Sequence, residues 1–197
     1  YFASSKLDVI ETATVIKGIA KACKKANCSL IGGETAEMPN HYKGKNFDLA
    51  GFSVGVVEKK LIIDSLKVRK NNIIIGIESS GAHSNGFSLI NKLIKESKLS
   101  KSENEKLIKL ALKPTHLYTN VILDLVKKVK IKSIANITGG GLTENIPRSI
   151  PNTLSSEIYL NNWKMPQFFV TLQKLGKIKM SDMLRIFNCG IGMTVII

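Results

Sequence analysis

Three short stretches of this sequence carry residues that can bind a phosphate or transfer a proton. The first covers residues 32–37, Gly-Gly-Glu-Thr-Ala-Glu, and follows the apolar run 28–31. Its two glycines let the backbone approach a ligand closely, and Glu34 and Glu37 suit Mg²⁺, phosphate or proton chemistry at a strand end. Taken alone, the same residues are also compatible with a tight turn that carries solvated acids.

The second stretch, residues 79–86, reads Ser-Ser-Gly-Ala-His-Ser-Asn-Gly and lies between an apolar run and an amphipathic helix. A strand, a glycine-containing loop and a helix present free backbone N–H groups and the positive end of a helix dipole to an anion. We expect His83 and Asn85 to project into such a site. The alternative is that Ser84 or Asn85 caps the helix and that His83 is a solvated loop residue.

The third stretch has three consecutive glycines, Gly139–Gly141, directly after the apolar run 131–137. Glycines at a strand end, followed by a helical turn, can cradle a phosphate, and Arg148 would be a charged partner for it. The pattern is neither a Walker A loop nor Gly-x-Gly-x-x-Gly. By itself it therefore indicates a flexible turn as readily as a phosphate site.

The elements that position these stretches follow from length and periodicity. With 197 residues and 44% hydrophobic content, the chain can form one domain or two. The polar, lysine-rich stretch 58–72 is the predicted boundary. Apolar residues at three- and four-residue spacing predict a first helix over residues 8–26, with Asp8 at its start. Further helices are predicted after residue 86 and over residues 106–112, 115–128, 166–175 and 181–187, a polar connector over 98–105, and strands over 28–31, 47–57, 73–77, 131–137, 154–160 and from 188–192 onward.

The formal charge of +14 raises a nucleic-acid hypothesis. Only three of the 29 basic residues are arginines, however, namely Arg69, Arg148 and Arg185. Phosphate and base recognition favour the planar fork of arginine, and the lysines are scattered along nearly every segment. The charge therefore indicates ordinary solvated faces, with RNA binding as the alternative.

The cysteines and the apolar runs indicate a cytoplasmic protein that does not enter a membrane. Cys23, Cys28 and Cys189 form no Cys-x-x-Cys pair and no spacing typical of zinc sites. An odd number of cysteines without a signal peptide suggests reduced thiols. No apolar run approaches the roughly 18–20 residues that a membrane-spanning helix needs.

Taken together, four stretches of the sequence resemble the phosphoribosylformylglycinamidine cyclo-ligase family, also called aminoimidazole ribonucleotide synthetases. They are residues 32–39, 79–86, 138–148 and 187–190, in the order that the family has them. The resemblance covers essentially the whole chain, and the combination is far more specific than any single stretch. The sequence departs from the family pattern at Ser5, Asn40, Ala82, His116, Leu142 and Thr143, and only the change at His116 affects a substrate contact.

The resemblance implies ATP-dependent ring closure of formylglycinamidine ribonucleotide to aminoimidazole ribonucleotide in purine synthesis, with release of ADP and phosphate. An amide oxygen is a poor leaving group, so ATP phosphorylates it before the amidine nitrogen attacks. Catalytic roles are implied for His83, Asn85 and Glu34, with ATP and Mg²⁺ as cofactors and Glu34 as the metal ligand. The implied phosphate- and substrate-binding residues are Gly32, Gly33, Thr35, Glu37, Ser80, Gly81, Ser84, Gly139, Gly140, Gly141, Asn145 and Arg148.

The resemblance also implies an α/β fold of the α+β type in two domains, each a mixed sheet with helices. Residues 1–60 would be the C-terminal part of an N-terminal dimerisation and ATP-site domain, and residues 61–197 most of a C-terminal domain that is truncated at its end. The expected assembly is a cytoplasmic homodimer that binds neither nucleic acid nor membrane. Family members have an upstream nucleotide segment and continue beyond Ile197, so we expect an internal fragment that is inactive alone.

Two other functions remain open from the sequence. One is another ATP-dependent enzyme of the same superfamily, of the formylglycinamidine synthetase, selenophosphate or thiamine-phosphate type. The acidic stretch 34–37 together with residues 83–85 favours the cyclo-ligase over these. The other is a lysine-rich RNA-binding or scaffold module without catalysis, which would bind generic RNA with a strong salt dependence.

Overall fold

Two three-stranded sheets, one in each part of the chain, organise the computed structural model, which describes residues 1–197. The residues divide into two units, Tyr1–Ile62 and Ile63–Ile197. Each unit combines its sheet with one or more helices, which confirms the predicted α/β class.

The sheet of the first unit is built around β1 (Phe2–Ser4), all of whose residues are buried. β1 pairs in parallel with β2 (Thr35–Glu37) and antiparallel with β3 (Phe47–Leu49), so this sheet is mixed. Stacked rings of Phe2 and Phe47, 5.1 Å apart, pack across the β1–β3 pair. The acidic stretch of the sequence therefore lies on an outer strand of a small sheet.

The first helix, α1 (Val9–Lys25), confirms the predicted helix over residues 8–26. Its N-cap is Asp8, whose carboxylate accepts hydrogen bonds from the backbone N–H groups of Ile10 and Glu11 at 3.0 and 2.9 Å. Such a cap satisfies donors that the first turn cannot pair internally. The lysines near the C-terminus complement the negative end of the helix dipole.

Two strands predicted for the first unit are absent or short. Residues 28–34 form no strand, and the predicted strand 47–57 is limited to β3. Apolar side chains in these segments are exposed, among them Ile31, Phe52 and Val54. A strand forms only where a neighbouring strand accepts its backbone hydrogen bonds, and these segments have no such neighbour in the structure.

The sheet of the second unit has the order β4-β6-β5, with β4 at Ile74–Glu78, β5 at Ser133–Asn136 and β6 at Ile191–Ile196. The central strand β6 is antiparallel to both neighbours. The carboxyl ends of β4 and β5 therefore lie at the same edge as the amino end of β6. Three chain segments meet there: the one after β4, the one after β5 and the one before β6.

Six helices accompany this sheet, and most of them share one apolar core. They are α2 (Phe87–Glu96), α3 (Lys101–Ala111), α4 (Thr119–Lys128), α5 (Gly141–Asn145), α6 (Gln167–Gly176) and α7 (Met180–Ile186). Ile90, Leu107, Phe169 and Met183 are buried together in this core, so α2, α3, α6 and α7 pack on one another. A second cluster around Ile146 contacts the sheet through β5 and β6. None of the helices has the length and apolarity of a transmembrane span.

The helix and strand predictions for the second unit were partly wrong. Residues 98–105 are not a connector throughout, because α3 begins at Lys101, and residues 154–160 form no strand. The early start of α3 is explained by a capping box, in which Ser100 and Glu103 bind each other's backbone N–H groups. This local hydrogen-bonding pattern outweighs the polar composition of the stretch.

The capping box gives a stability prediction. Replacing Ser100 by alanine should lower the free energy of unfolding by about 1 kcal/mol, because the Glu103 N–H then loses its acceptor and the hydroxyl bond to the Glu103 carboxylate disappears. The matched control is Ser102→Ala, since Ser102 is exposed inside the same helix and makes no capping bond. Urea denaturation of the two variants measures the difference, and equal effects would contradict the capping role.

Candidate functional site

Backbone hydrogen bonds hold three glycine-containing segments together at the edge where β6 begins. The Ser79 N–H donates to the Gly190 carbonyl at 2.8 Å, which joins the segment after β4 to the one before β6. The Ile137 N–H donates to the Gly192 carbonyl at 3.0 Å and attaches the segment after β5. Residues 79–86, 138–141 and 187–190, which the sequence placed far apart, are therefore neighbours.

The segment 79–86 has a backbone conformation that is unusual outside glycine. His83 and Ser84 have φ angles of 50° and 58°, and Gly86 follows with 75°. Left-handed geometry at two successive non-glycine residues is costly and is concentrated at functional sites in proteins. The Asn85 side chain supports the turn by donating to the His83 carbonyl at 2.6 Å.

This conformation leaves an array of backbone donors without acceptors. The N–H groups of Ala82, His83 and Ser84 have no partner within the chain, and Gly86, the N-cap of α2, provides no side-chain cap. Unpaired N–H groups at the start of a helix attract anions through hydrogen bonding and through the helix dipole. The predicted alternative, in which Ser84 or Asn85 caps the helix, is wrong because Gly86 takes that position.

His83 is buried, not a solvated loop residue, with 5% of its surface exposed. Its Nε2 lies 3.0 Å from the Ser80 backbone N and 2.9 Å from the Ser80 hydroxyl, which in turn donates to the Pro114 carbonyl at 2.6 Å. The other ring nitrogen, Nδ1, is buried without a partner. Burial and, secondarily, the nearby His116 lower the pKa of His83, so the ring is neutral at neutral pH.

The triple-glycine segment is shaped by positive φ angles and by one asparagine. Gly140 and Gly141 have φ angles of 95° and 56°. A Cβ at Gly141 would clash with the carbonyl oxygens of Leu184 and Phe187, so only glycine fits there. The Asn145 amide donates to the Gly139 and Gly141 carbonyls at 3.0 and 2.8 Å, which turns the segment back on itself.

The structure brings these two predicted stretches into contact. A Cβ built on Gly139 would lie 3.7 Å from the Asn85 side-chain oxygen.

Arg148 pairs with the Glu144 carboxylate at 3.5 Å, and Arg185 donates to the same carboxylate at 2.7 Å. The Glu144 carboxylate therefore balances part of the positive charge of both Arg148 and Arg185.

The acidic stretch belongs to the first unit and is open to solvent. Gly32 and Gly33 have no neighbour within contact distance of an added Cβ, and Thr35 is exposed in β2. Glu34 is exposed, and its carboxylate accepts a hydrogen bond from the N–H of the next residue at 3.2 Å. Glu37 accepts a hydrogen bond from the Leu7 N–H at 2.6 Å, which ties β2 to the start of α1.

Glu34 is the metal ligand expected from the sequence, and it lies in the exposed acidic stretch. No set of three or more His, Cys, Asp or Glu side chains is arranged to hold one. Mg²⁺ is commonly bound by one or two carboxylates together with substrate phosphates and water. The exposed Glu34 carboxylate fits that mode as a single ligand.

Sequence reasoning assigned no role to two residues at this edge, Asn188 and Tyr118. Asn188 hydrogen-bonds to Ser79 and to Gly81, and the Tyr118 hydroxyl donates to the Glu78 carbonyl at 2.6 Å. Burial raises the pKa of Tyr118 to about 12, so its hydroxyl keeps its proton. The Phe-Asn-Cys-Gly stretch before β6 was a usable signal for Asn188, whereas nothing in the sequence pairs residue 118 with β4.

The steric demand at Gly141 predicts a large loss of stability for Gly141→Ala. The added methyl group meets two backbone carbonyls and the φ angle is left-handed, so we expect a loss of about 2–4 kcal/mol. Gly139→Ala is the matched control, because its Cβ makes only ordinary contacts and should cost less than about 1 kcal/mol. Chemical denaturation compares them, and a similar loss for both would argue against the described turn.

The buried imidazole predicts a pH effect on stability. The unfolded chain takes up a proton at His83 as the pH falls through its ordinary pKa of 6.5, while the folded protein does not, so this group lowers stability below that pH and has no effect above it. NMR titration of the imidazole should show a pKa below 6.5. His116→Gln should raise that pKa without restoring the ordinary value, because burial is the larger cause. A normal titration of His83 in the wild type would contradict the burial.

Comparison with known proteins gives matches over both units. Residues 1–57 match the model of the AIR synthase related protein N-terminal domain, and residues 69–196 match that of the C-terminal domain. Proteins named phosphoribosylformylglycinamidine cyclo-ligase are similar over the whole chain, with 46% identity in Cupriavidus pinatubonensis and 47% in Neisseria gonorrhoeae. The chain spans 57% and 58% of the length of these relatives. These matches confirm the resemblance found in the sequence, and the chain belongs to the AIR synthase related protein family.

Proposed function

We propose that this protein closes the ring of formylglycinamidine ribonucleotide to give aminoimidazole ribonucleotide, with ATP converted to ADP and phosphate. The relatives that match the whole chain carry the name of that cyclo-ligase. The structural observation that carries the proposal is the convergence of segments 79–86 and 138–141 at one sheet edge, where residues 82–84 have backbone N–H groups without acceptors.

The proposed reaction requires donors directed at developing negative charge. Phosphorylation of the amide oxygen makes it a leaving group, and the amidine nitrogen then attacks the same carbon and expels phosphate. Backbone N–H groups that are already oriented stabilise such charge without reorganising. We assign this role to Gly81, Ser84 and the N-terminus of α2, and to Gly139 and Gly140 after β5. Gly141 closes the turn, because its N–H donates to the Thr138 carbonyl at 3.0 Å.

His83 and Asn85 are assigned to polar contacts at the reacting amide or phosphoryl group, with Ser80 holding the imidazole. Asn85 is partly exposed beside Gly139 and is the more accessible of the two. Asn145 shapes the glycine segment, and Arg148 offers a cation at the surface next to it. Each role is part of the proposal.

The acidic stretch of the first unit is assigned to Mg²⁺ and phosphate handling. Bound Mg²⁺ neutralises phosphate charge, and Glu34 is the carboxylate free to hold it. Glu37 is occupied by the Leu7 N–H, so its contribution is to place Thr35 and the two preceding glycines.

We further propose a cytoplasmic homodimer formed through the first unit. Phe52, Val54 and Val56 alternate with small residues and are each more than 90% exposed. A second subunit packed on this segment would bury them. Free Cys23, Cys28 and Cys189 agree with a reducing compartment. RNA binding is the less favoured function, because two of the three arginines are paired with Glu144.

The test is an assay of the full-length protein for ATP-dependent conversion of formylglycinamidine ribonucleotide. Asn85→Ala should lower kcat by about a hundredfold or more, as expected for a lost polar contact to a charged transition state. The control is Asn91→Ala, which replaces an exposed asparagine within α2 and should leave kcat unchanged.

Two outcomes would contradict the proposal. A folded full-length protein that does not convert this substrate but accepts another amide or acid with ATP would indicate a different enzyme of the superfamily. RNA binding that weakens steeply with salt, with no effect of ATP, would indicate the non-catalytic module.

A further inference from the structure

Asn188 connects the segment before β6 to the segment after β4 through three hydrogen bonds. Its amide nitrogen donates to the Gly81 carbonyl at 2.8 Å. Its side-chain oxygen accepts from the Ser79 hydroxyl at 2.8 Å and from the Gly190 N–H at 2.9 Å. The residue is 2% exposed, so these bonds are shielded from competing water.

The bond to Gly81 fixes the orientation of one particular peptide. Because a peptide group is planar and trans, a carbonyl that points at the Asn188 amide forces the N–H of Ala82 to point away from it. That N–H has no acceptor within the chain. Asn188 therefore fixes the peptide that leads into His83 and Ser84. Ala82 is itself buried, and Ser84 is the exposed residue of this turn.

The hydrogen bond from Asn188 to the Gly81 carbonyl lies just before His83 and Ser84, the residues with strained backbone. His83 and Ser84 hold left-handed conformations that an unsupported chain would leave for more favourable ones. On the other side of His83, support comes from the Asn85 amide, which binds the His83 carbonyl. Asn188 supplies the support on the Gly81 side, from a segment that is more than a hundred residues away in the chain.

We propose that Asn188 is a positioning residue for the ring-closing reaction, which holds the turn at residues 82–84, and with it the N–H of the exposed Ser84, in its binding orientation through its bond to the Gly81 carbonyl. The inference rests on the proposed function for its kinetic consequence. The orientation itself can be tested without activity.

The decisive variant is Asn188→Asp in the full-length protein. An ionised carboxylate retains the acceptor for Ser79 and Gly190 but repels the Gly81 carbonyl, whereas a protonated carboxyl can donate to it. Burial raises the pKa of such a carboxyl, so protonation falls in the accessible pH range. We expect kcat to be about a hundredfold below the wild type at high pH, and the ratio of variant to wild type to rise as the pH falls.

Two further variants separate positioning from general destabilisation. Asn188→Ala removes the donor at every pH, so its ratio to the wild type should be low and independent of pH. Val68→Ala weakens a buried cluster with Ile150 and Ile196, away from the three segments, and should lower the melting temperature while leaving kcat unchanged.

The melting temperature provides a readout that does not depend on the reaction. The folded Asn188→Asp variant binds its proton more tightly than the unfolded chain does, so its deficit in melting temperature should shrink as the pH falls. If the melting-temperature deficit depends on pH but the protein does not cyclise the substrate, the orienting bond is supported and the proposed function is rejected.

A kcat ratio and a melting-temperature deficit that are both independent of pH would overturn the inference. Equal loss of kcat in Val68→Ala at a matched melting temperature would also overturn it. If Asn188→Asp does not fold, Ser79→Ala removes one bond and spares the Gly81 contact. We then expect a loss of kcat smaller than tenfold, and a loss as large as that of Asn188→Ala would contradict the assignment of the effect to Gly81.

Discussion

The antiparallel pairing of β6 with both of its neighbours is the constraint on which the candidate site depends. It places the ends of β4 and β5 at one edge, beside the segment that enters β6. The three segments are separated by about fifty residues each, and no local preference could bring them together. Once they are neighbours, side-chain bonds within and between them settle the conformation of each. The sheet thus provides the placement, and two buried asparagines, Asn145 and Asn188, provide the detail.

The two asparagines do similar work with the same chemistry. Each uses its amide N–H groups to bind backbone carbonyls of a glycine-containing segment, Asn145 those of Gly139 and Gly141, and Asn188 that of Gly81. A carbonyl bound on the protein side directs the N–H of the same peptide to the opposite side. Asparagine is well suited to this task because its side chain is short, carries both donor and acceptor, and remains uncharged when it is buried.

How much of this was predictable differs between helices, strands and site. The core strands β4 and β6 followed from their apolar runs, whose residues pack within the same unit. The first helix followed from its residue spacing and from the Asp8 cap, although its apolar residues Val9, Ile10 and Ile16 are exposed. Residues 28–31 and 154–160 have strand-like sequences but no strand beside them, and the pattern of a single segment contains no information about its partner. The start of α3 was missed because the Ser100–Glu103 capping box was not recognised. At the site, each glycine stretch was recognised from the sequence as a candidate segment. Asn188 was overlooked because its hydrogen-bond partners, Ser79 and Gly81, are distant in the sequence.

The charges at the site explain why backbone geometry matters so much here. The chain has a formal charge of +14, but two of its three arginines are paired with a carboxylate beside the triple-glycine segment. Arg148 and Arg185 share the Glu144 carboxylate, and the lowered pKa of His83 keeps its ring neutral. In the proposed site, phosphate is attracted by oriented N–H groups and helix termini, which act over short distances and depend strongly on direction. A lysine side chain tolerates a displaced backbone because it can bend, but a peptide N–H cannot. A site of this kind therefore needs fixed loops, and that need accounts for the strained residues, the buried asparagines and the glycines that admit no side chain.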